Sequence, residues 1–164
     1  MKKLLIALIS TIVVYKLMHW QGSGLITSET PNGILALEFA NDFLKVNSIL
    51  SVWDVNIARI NIVIDFFFLT AYSMFFIFSI QYIHTKASSA FVKNNSLILL
   101  KLALLPALFD AIENIIMLQT LARNSTTFLL QLTWYCVVIK FLLAAVITLF
   151  ILIMLPVTIL NRKK

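Results

Sequence analysis

The chain has 164 residues, of which 61% are hydrophobic and 12% charged, with three glycines, three prolines and a formal net charge of +6. A soluble domain carries about twice that charged fraction, so the composition excludes a soluble globular protein and predicts a single integral membrane domain over residues 1–164. The positive balance does not indicate nucleic acid, because the basic residues stand at chain ends and beside apolar runs; one cysteine, Cys136, excludes an internal disulfide and a multi-cysteine metal site.

Met1 to Lys3 is a short basic start before the apolar run Leu4 to Tyr15, which Lys16 to Trp20 extend. A secretory signal shares that beginning, but no small-x-small cleavage pattern follows directly and Lys16 is awkward in one. Residues 4–20 therefore read as an uncleaved first span, with Lys16 and Trp20 at the far interface. Residues 21–56 form the longest segment that does not span. Thr30 suits an N-cap and Pro31 the first helical position. Ile34 to Trp53 has an amphipathic helical pattern, in one or two pieces, broken by Glu38, Asp42, Lys45 and Asn47. It is expected on the membrane surface or as a cap on the bundle. Glu38, among Ile34, Leu35, Leu37 and Phe39, is either a solvated edge of that helix or a carboxylate turned inward toward Arg59 or the acidic face of the third span.

Residues 58–83 form the second span, which starts with Arg59, Ile60 and Asn61 and contains Asp65, Thr70 and Tyr72. Asn61 and Asp65 are four apart and share a helix face. The phenylalanines at 66–68, 75, 76 and 78 are expected to face lipid or pack, and His84 to sit at the interface. The third span covers 97–118, with Pro106 expected to kink it just before Asp110-Ala111-Ile112-Glu113-Asn114. Asp110, Glu113 and Asn114 point together, and carboxyl groups inside a span are costly unless paired, hydrated or used. A turn with Arg123 contains Asn124-Ser125-Thr126, a glycosylation tripeptide that is common by chance. The fourth span, 128–160, is longer than the hydrocarbon layer needs and can tilt or protrude. Trp134 and Tyr135 look like interface anchors, Cys136 like a packing residue, and Lys140 lies deeper. The predicted class is all-α: an integral membrane four-helix bundle with an extracytoplasmic amphipathic segment between the first two spans.

Orientation follows from lysine and arginine. Lys2, Lys3, Lys86, Lys93, Lys101, Arg162, Lys163 and Lys164 fall on one side, eight in all, against Lys16, Lys45, Arg59 and Arg123, four, on the other. Both termini are therefore expected in the cytoplasm. At about 1.5 Å per residue, Asp65 lies about 9 Å below Arg59, and Glu113 and Asp110 about 8 and 12 Å below Leu118. Lys140 starts about 18 Å below Phe128, but helical side chains lean toward the N-terminus, which brings it toward the acids. The expected cluster is Asn61, Asp65, Asp110, Glu113, Asn114, Lys140 and Arg59, in the outer half of the bilayer beneath Glu38. Three buried acids would then face two bases at most, leaving a surplus to be met by a proton, by the Glu38 segment with water, or by a bound cation.

Three short motifs bear on this set: Thr30-Pro31-x-Gly33-Ile34-x-x-x-Glu38-x-Ala40, Asp65-x-x-Phe68-x-x-x-Tyr72, and Asp110-x-x-Glu113-Asn114. In these the chain, between about Thr30 and Asn114, resembles an uncharacterised family of small bacterial membrane proteins with four spans. The resemblance implies that Glu38, Asp65, Asp110, Glu113 and Asn114 belong together and, with the composition, that the membrane is a bacterial inner membrane; it supplies no activity.

No His-Glu-x-x-His, glycine-rich phosphate loop or Gly-x-Ser-x-Gly elbow is present. Two carboxylates with the distant His19 make weak grounds for a metal, so neither metal nor cofactor is assigned. Three functions remain. The polar groups could bind a cation, a proton or a polar lipid head group, through Glu38, Asn61, Asp65, Asp110, Glu113, Asn114 and Lys140. They could hold helices together in a structural subunit, with interhelical bonds of roughly 0.6–2 kcal/mol each. They could perform carboxyl acid–base chemistry on a lipid, although no nucleophile accompanies them. Membrane lipids are the expected partners, and the apolar faces would serve lipid contact or oligomer formation equally.

Overall fold

A computed structural model describes residues 1–160; Arg162, Lys163 and Lys164, used above for orientation, lie outside the described residues. Among the described residues the protein is all-α. Four stretches are long and apolar enough to cross a membrane, and the chain is a multi-pass membrane protein.

Helix α1, Lys2–Gln21, has 20 residues, about 30 Å and the thickness of the hydrocarbon layer. A helical turn over Gly22–Leu25 leads into a connector with two short helices, α2 (Leu35–Glu38) and α3 (Phe43–Val52). Helix α4 runs Val55–Lys86, and the third crossing is split into α5 (Ala90–Leu102) and α6 (Leu105–Leu121). Helix α7, Thr127–Leu160, has 34 residues, about 51 Å, so it tilts or projects beyond the layer. The connector and the α6–α7 turn sit at the same end of the bundle, where Arg123 Nη1 donates to Asn47 Oδ1 at 2.6 Å.

Two expectations change. Pro106 does not kink a continuous helix: the third crossing breaks at Ala103–Leu104, and Pro106 occupies the first turn of α6, where its missing N–H removes no helical bond. Thr30 is not an N-cap, because Gly33 takes a left-handed φ of +56°, which a right-handed helix cannot contain, and residues 31–34 form a turn. The Thr30 hydroxyl instead donates to Leu25 O at 2.8 Å and accepts from Trp53 Nε1 at 2.9 Å, closing the connector on itself. The amphipathic segment is indeed in two pieces. Its second piece, α3, is capped by Asp42, which accepts from the Lys45 N–H at 2.8 Å. That bond holds the exposed Asp42 carboxyl below the usual range, so this cap is intact above the ordinary carboxylate pKa and is lost as pH falls through the lowered value.

The bundle is lopsided. Helix α4 packs against α1, α5, α6 and α7, and α6 packs on α7, whereas α1 leans on α4 and the turn that follows it. Helix α1 accordingly buries a single residue, Ala7. Its docking is polar at the connector end: Asn61 Nδ2 donates to Met18 O at 2.8 Å and to Gln21 Oε1 at 2.9 Å, and Gln21 Nε2 donates to Ile57 O at 3.1 Å. Gly22 leaves room for this, since a Cβ there would stand 2.5 Å from Asn61 Nδ2. Gly22→Ala should therefore displace the amide and lower stability by about 1–3 kcal/mol. Unfolding by denaturing detergent, followed by circular dichroism, measures this; Gly24→Ala, which meets only the flexible end of Ile57, should change little.

Two apolar cores lie along the bundle axis. One, at the connector end, joins Leu25, Leu37, Trp53, Ala58, Ile62, Met117, Leu121 and Leu130. The other joins Tyr72, Phe76, Ile80, Ile83, Ala103, Ala107, Ile147 and Ile151. Asp65 on α4, Asp110, Glu113 and Asn114 on α6, and Lys140 on α7 fall between the two sets.

Candidate functional site

The three-and-four spacing on α6 places Asp110, Glu113 and Asn114 on its inner face, all buried. Lys140 reaches them from α7. Its Nζ donates to Asp110 Oδ1 at 2.8 Å, and it stands 2.8 Å from Glu113 Oε2 and 3.1 Å from Glu38 Oε2. The last two oxygens are at ion-pair distance but off the hydrogen-bonding directions. Three carboxylate oxygens thus surround an ammonium that has three N–H donors. Tyr72 OH of α4 donates to Asp110 Oδ2 at 2.9 Å. Beside this group, Asn114 Nδ2 donates to Asp65 Oδ2 at 2.6 Å.

Of the seven residues singled out in the sequence, Glu38, Asp110, Glu113 and Lys140 meet directly, and Asp65 and Asn114 form a pair alongside. Asn61 borders the same space, but its amide N–H groups are spent on α1. Glu38 does turn inward, and its partner is Lys140, not Arg59. Arg59 is exposed and takes no part. The balance is therefore four carboxylates, those of Glu38, Asp65, Asp110 and Glu113, against the ammonium of Lys140. Glu38 arrives because α2 packs on α6 and α7 and does not float on the membrane surface; Phe39 next to it stacks on Phe141 at 6.2 Å. Tyr72, which closes the second motif, is absent from the expected cluster, although its seven-residue spacing from Asp65 places both on one helix face.

A cavity of about 600 Å³ lies against the cluster, between α1 and α7 with α4 as its floor. Glu38, Asp65, Asp110 and Lys140 form a polar end, and Phe68, Phe76, Phe141 and Ala144 supply apolar wall. Phe68 and Phe76 were expected only to pack or to face lipid. A second chamber of about 20 Å³ shares Glu38, Asn61 and Asp65 with the first and adds Asn114. Asn114 has no exposed surface, and its Oδ1 has no hydrogen-bond partner among the described residues. The same holds for Glu113 Oε1.

No family model, curated protein or solved structure matches the chain. The protein is a membrane protein with a buried acidic cluster around Lys140, and its function is argued from that geometry.

Proposed function

We propose that the protein binds the polar head of a membrane lipid at the Lys140–carboxylate cluster, with the lipid's apolar part in the cavity between α1 and α7. The observation that carries this reading is the cavity: its volume suits a ligand-sized molecule, and it joins charged side chains at one end to aromatic and aliphatic walls. A cluster that served only to fasten helices would need no such space. The surplus of carboxylates is a further support, since four buried acids against one ammonium call for protons, a cation or hydrogen-bond donors from a ligand.

Fastening is a second reading with its own support. One ammonium ties the connector, α6 and α7 together, and that role is compatible with binding. The bias of basic residues supports both termini in the cytoplasm with the connector on the outer side, and the resemblance to small bacterial proteins supports a bacterial inner membrane. Kinship with the small bacterial four-span proteins belongs to the same proposal, because the motif residues Glu38, Asp65, Asp110, Glu113 and Asn114 gather at or beside Lys140.

Ala144→Trp tests the lipid reading by filling the cavity from α7 while every charged side chain of the cluster is kept. Native mass spectrometry of protein extracted in mild detergent should show a retained lipid on the unsubstituted chain and several-fold less on the variant. Equal retention by both proteins would contradict the proposal.

A further inference from the structure

We infer that the head group taken by this cavity is a protonated amine, not a phosphate or a carboxylate; the inference rests on the lipid-site reading above. The ammonium of Lys140 is the cation at the polar end, and carboxylate oxygens of Asp110, Glu113 and Glu38 already surround it within 3.1 Å. An anionic head group would have to displace one of these carboxylates and then lie beside it. Tyr72 OH is likewise committed to Asp110 Oδ2. What the walls offer is acceptors. Asp65 lines both chambers and makes no ion pair among the described residues; its Oδ2 accepts from Asn114. Asn114, wholly buried on the smaller chamber, has its Oδ1 without a donor. Glu38 lines both chambers as well, with Oε2 off the hydrogen-bonding direction of Lys140.

A primary ammonium brings three N–H donors and one positive charge. Placed between Asp65, Glu38 and the Asn114 amide oxygen, it would give the orphaned acceptor a donor and reduce the acid surplus through charge-assisted bonds. The apolar part has an obvious course. Asp65, Phe68, Tyr72 and Phe76 follow one another at three- and four-residue intervals on one face of α4, giving about 16 Å of wall that starts at the carboxylate. His19, on the α1 side, is the remaining base at the cavity edge and is exposed, so it supplies no buried positive charge.

The test uses the full chain in detergent micelles, with four amphiphiles of one chain length: hexadecylamine, hexadecanol, palmitate and hexadecyl phosphate. Dissociation constants are read from concentration-dependent thermal unfolding. Hexadecylamine should bind at least about tenfold more tightly than palmitate or hexadecyl phosphate, with hexadecanol between them. Asp65→Asn should abolish that preference; Glu38→Gln should weaken it and serves if the first variant does not fold. Palmitate or hexadecyl phosphate binding as tightly as the amine would overturn the head-group inference and leave the lipid site standing. An amine preference that survives in both variants would overturn it too, because the selectivity would then arise elsewhere. Failure of all four to bind would overturn the lipid site itself.

Discussion

Lys140→Met is expected to lower the unfolding free energy by about 3–5 kcal/mol, more than any other single change inside the membrane. Methionine fills much of the volume, so the loss is electrostatic. The substitution leaves Asp110, Glu113 and Glu38 facing one another without the ammonium that stands within 3.1 Å of each. It also unfastens three elements at once, because these carboxylates come from α6 and from the connector. Removing one of the stranded acids should recover part of the loss. Lys140→Met combined with Glu113→Leu should therefore be more stable than Lys140→Met alone, since Glu113 is wholly buried and its Oε1 has no partner among the described residues. Denaturing-detergent titrations of the two variants in bicelles make the comparison. Equal stability of Lys140→Met and the unsubstituted protein would remove the ion cluster from the energetics of the fold.

Trp53→Ala is the second large effect, at about 3–5 kcal/mol. Trp53 is a buried member of the core beneath the connector, and its Nε1 donates to Thr30 Oγ1. That hydroxyl also holds Leu25 O, so one indole fixes both the entry and the exit of the connector. Trp53→Phe keeps most of the apolar volume and loses the hydrogen bond, and should cost roughly 0.5–1.5 kcal/mol plus a smaller packing loss. Proteolysis of the connector in detergent offers a second reading of the same variants. Trp53→Ala should be cut between α2 and α3 much faster than Trp53→Phe, whereas equal rates would mean that the connector is held from elsewhere.

Helical spacing made much of the site legible. Asp110, Glu113 and Asn114 share a face by arithmetic, and the depth estimate for Lys140, with its side chain leaning toward the start of α7, brings it to the acids. Arg59 could have been excluded in the same way: it is two residues from Asn61, roughly 200° around the helix, and points elsewhere. The break at Ala103–Leu104 could not be read, because Leu102 to Leu105 is uniformly apolar and Pro106 suits both a kink and a first turn. The role of Thr30 was hidden because its partner Trp53 lies twenty-three residues away, a contact that only tertiary packing creates. The cavity was illegible for a similar reason. It exists because α1 leans on α4 and stands apart from α7, and the apolar surfaces of α1 look the same whether they meet lipid or a helix.

Everything proposed about binding requires that the connector deliver Glu38 into the membrane-embedded cluster. A double-mutant cycle of Glu38→Gln and Lys140→Met, read by unfolding in bicelles, measures that meeting. Contact at the observed 3.1 Å predicts a coupling of at least about 1 kcal/mol. Strictly additive effects of the two substitutions would show that Glu38 and Lys140 do not meet, and would contradict the site.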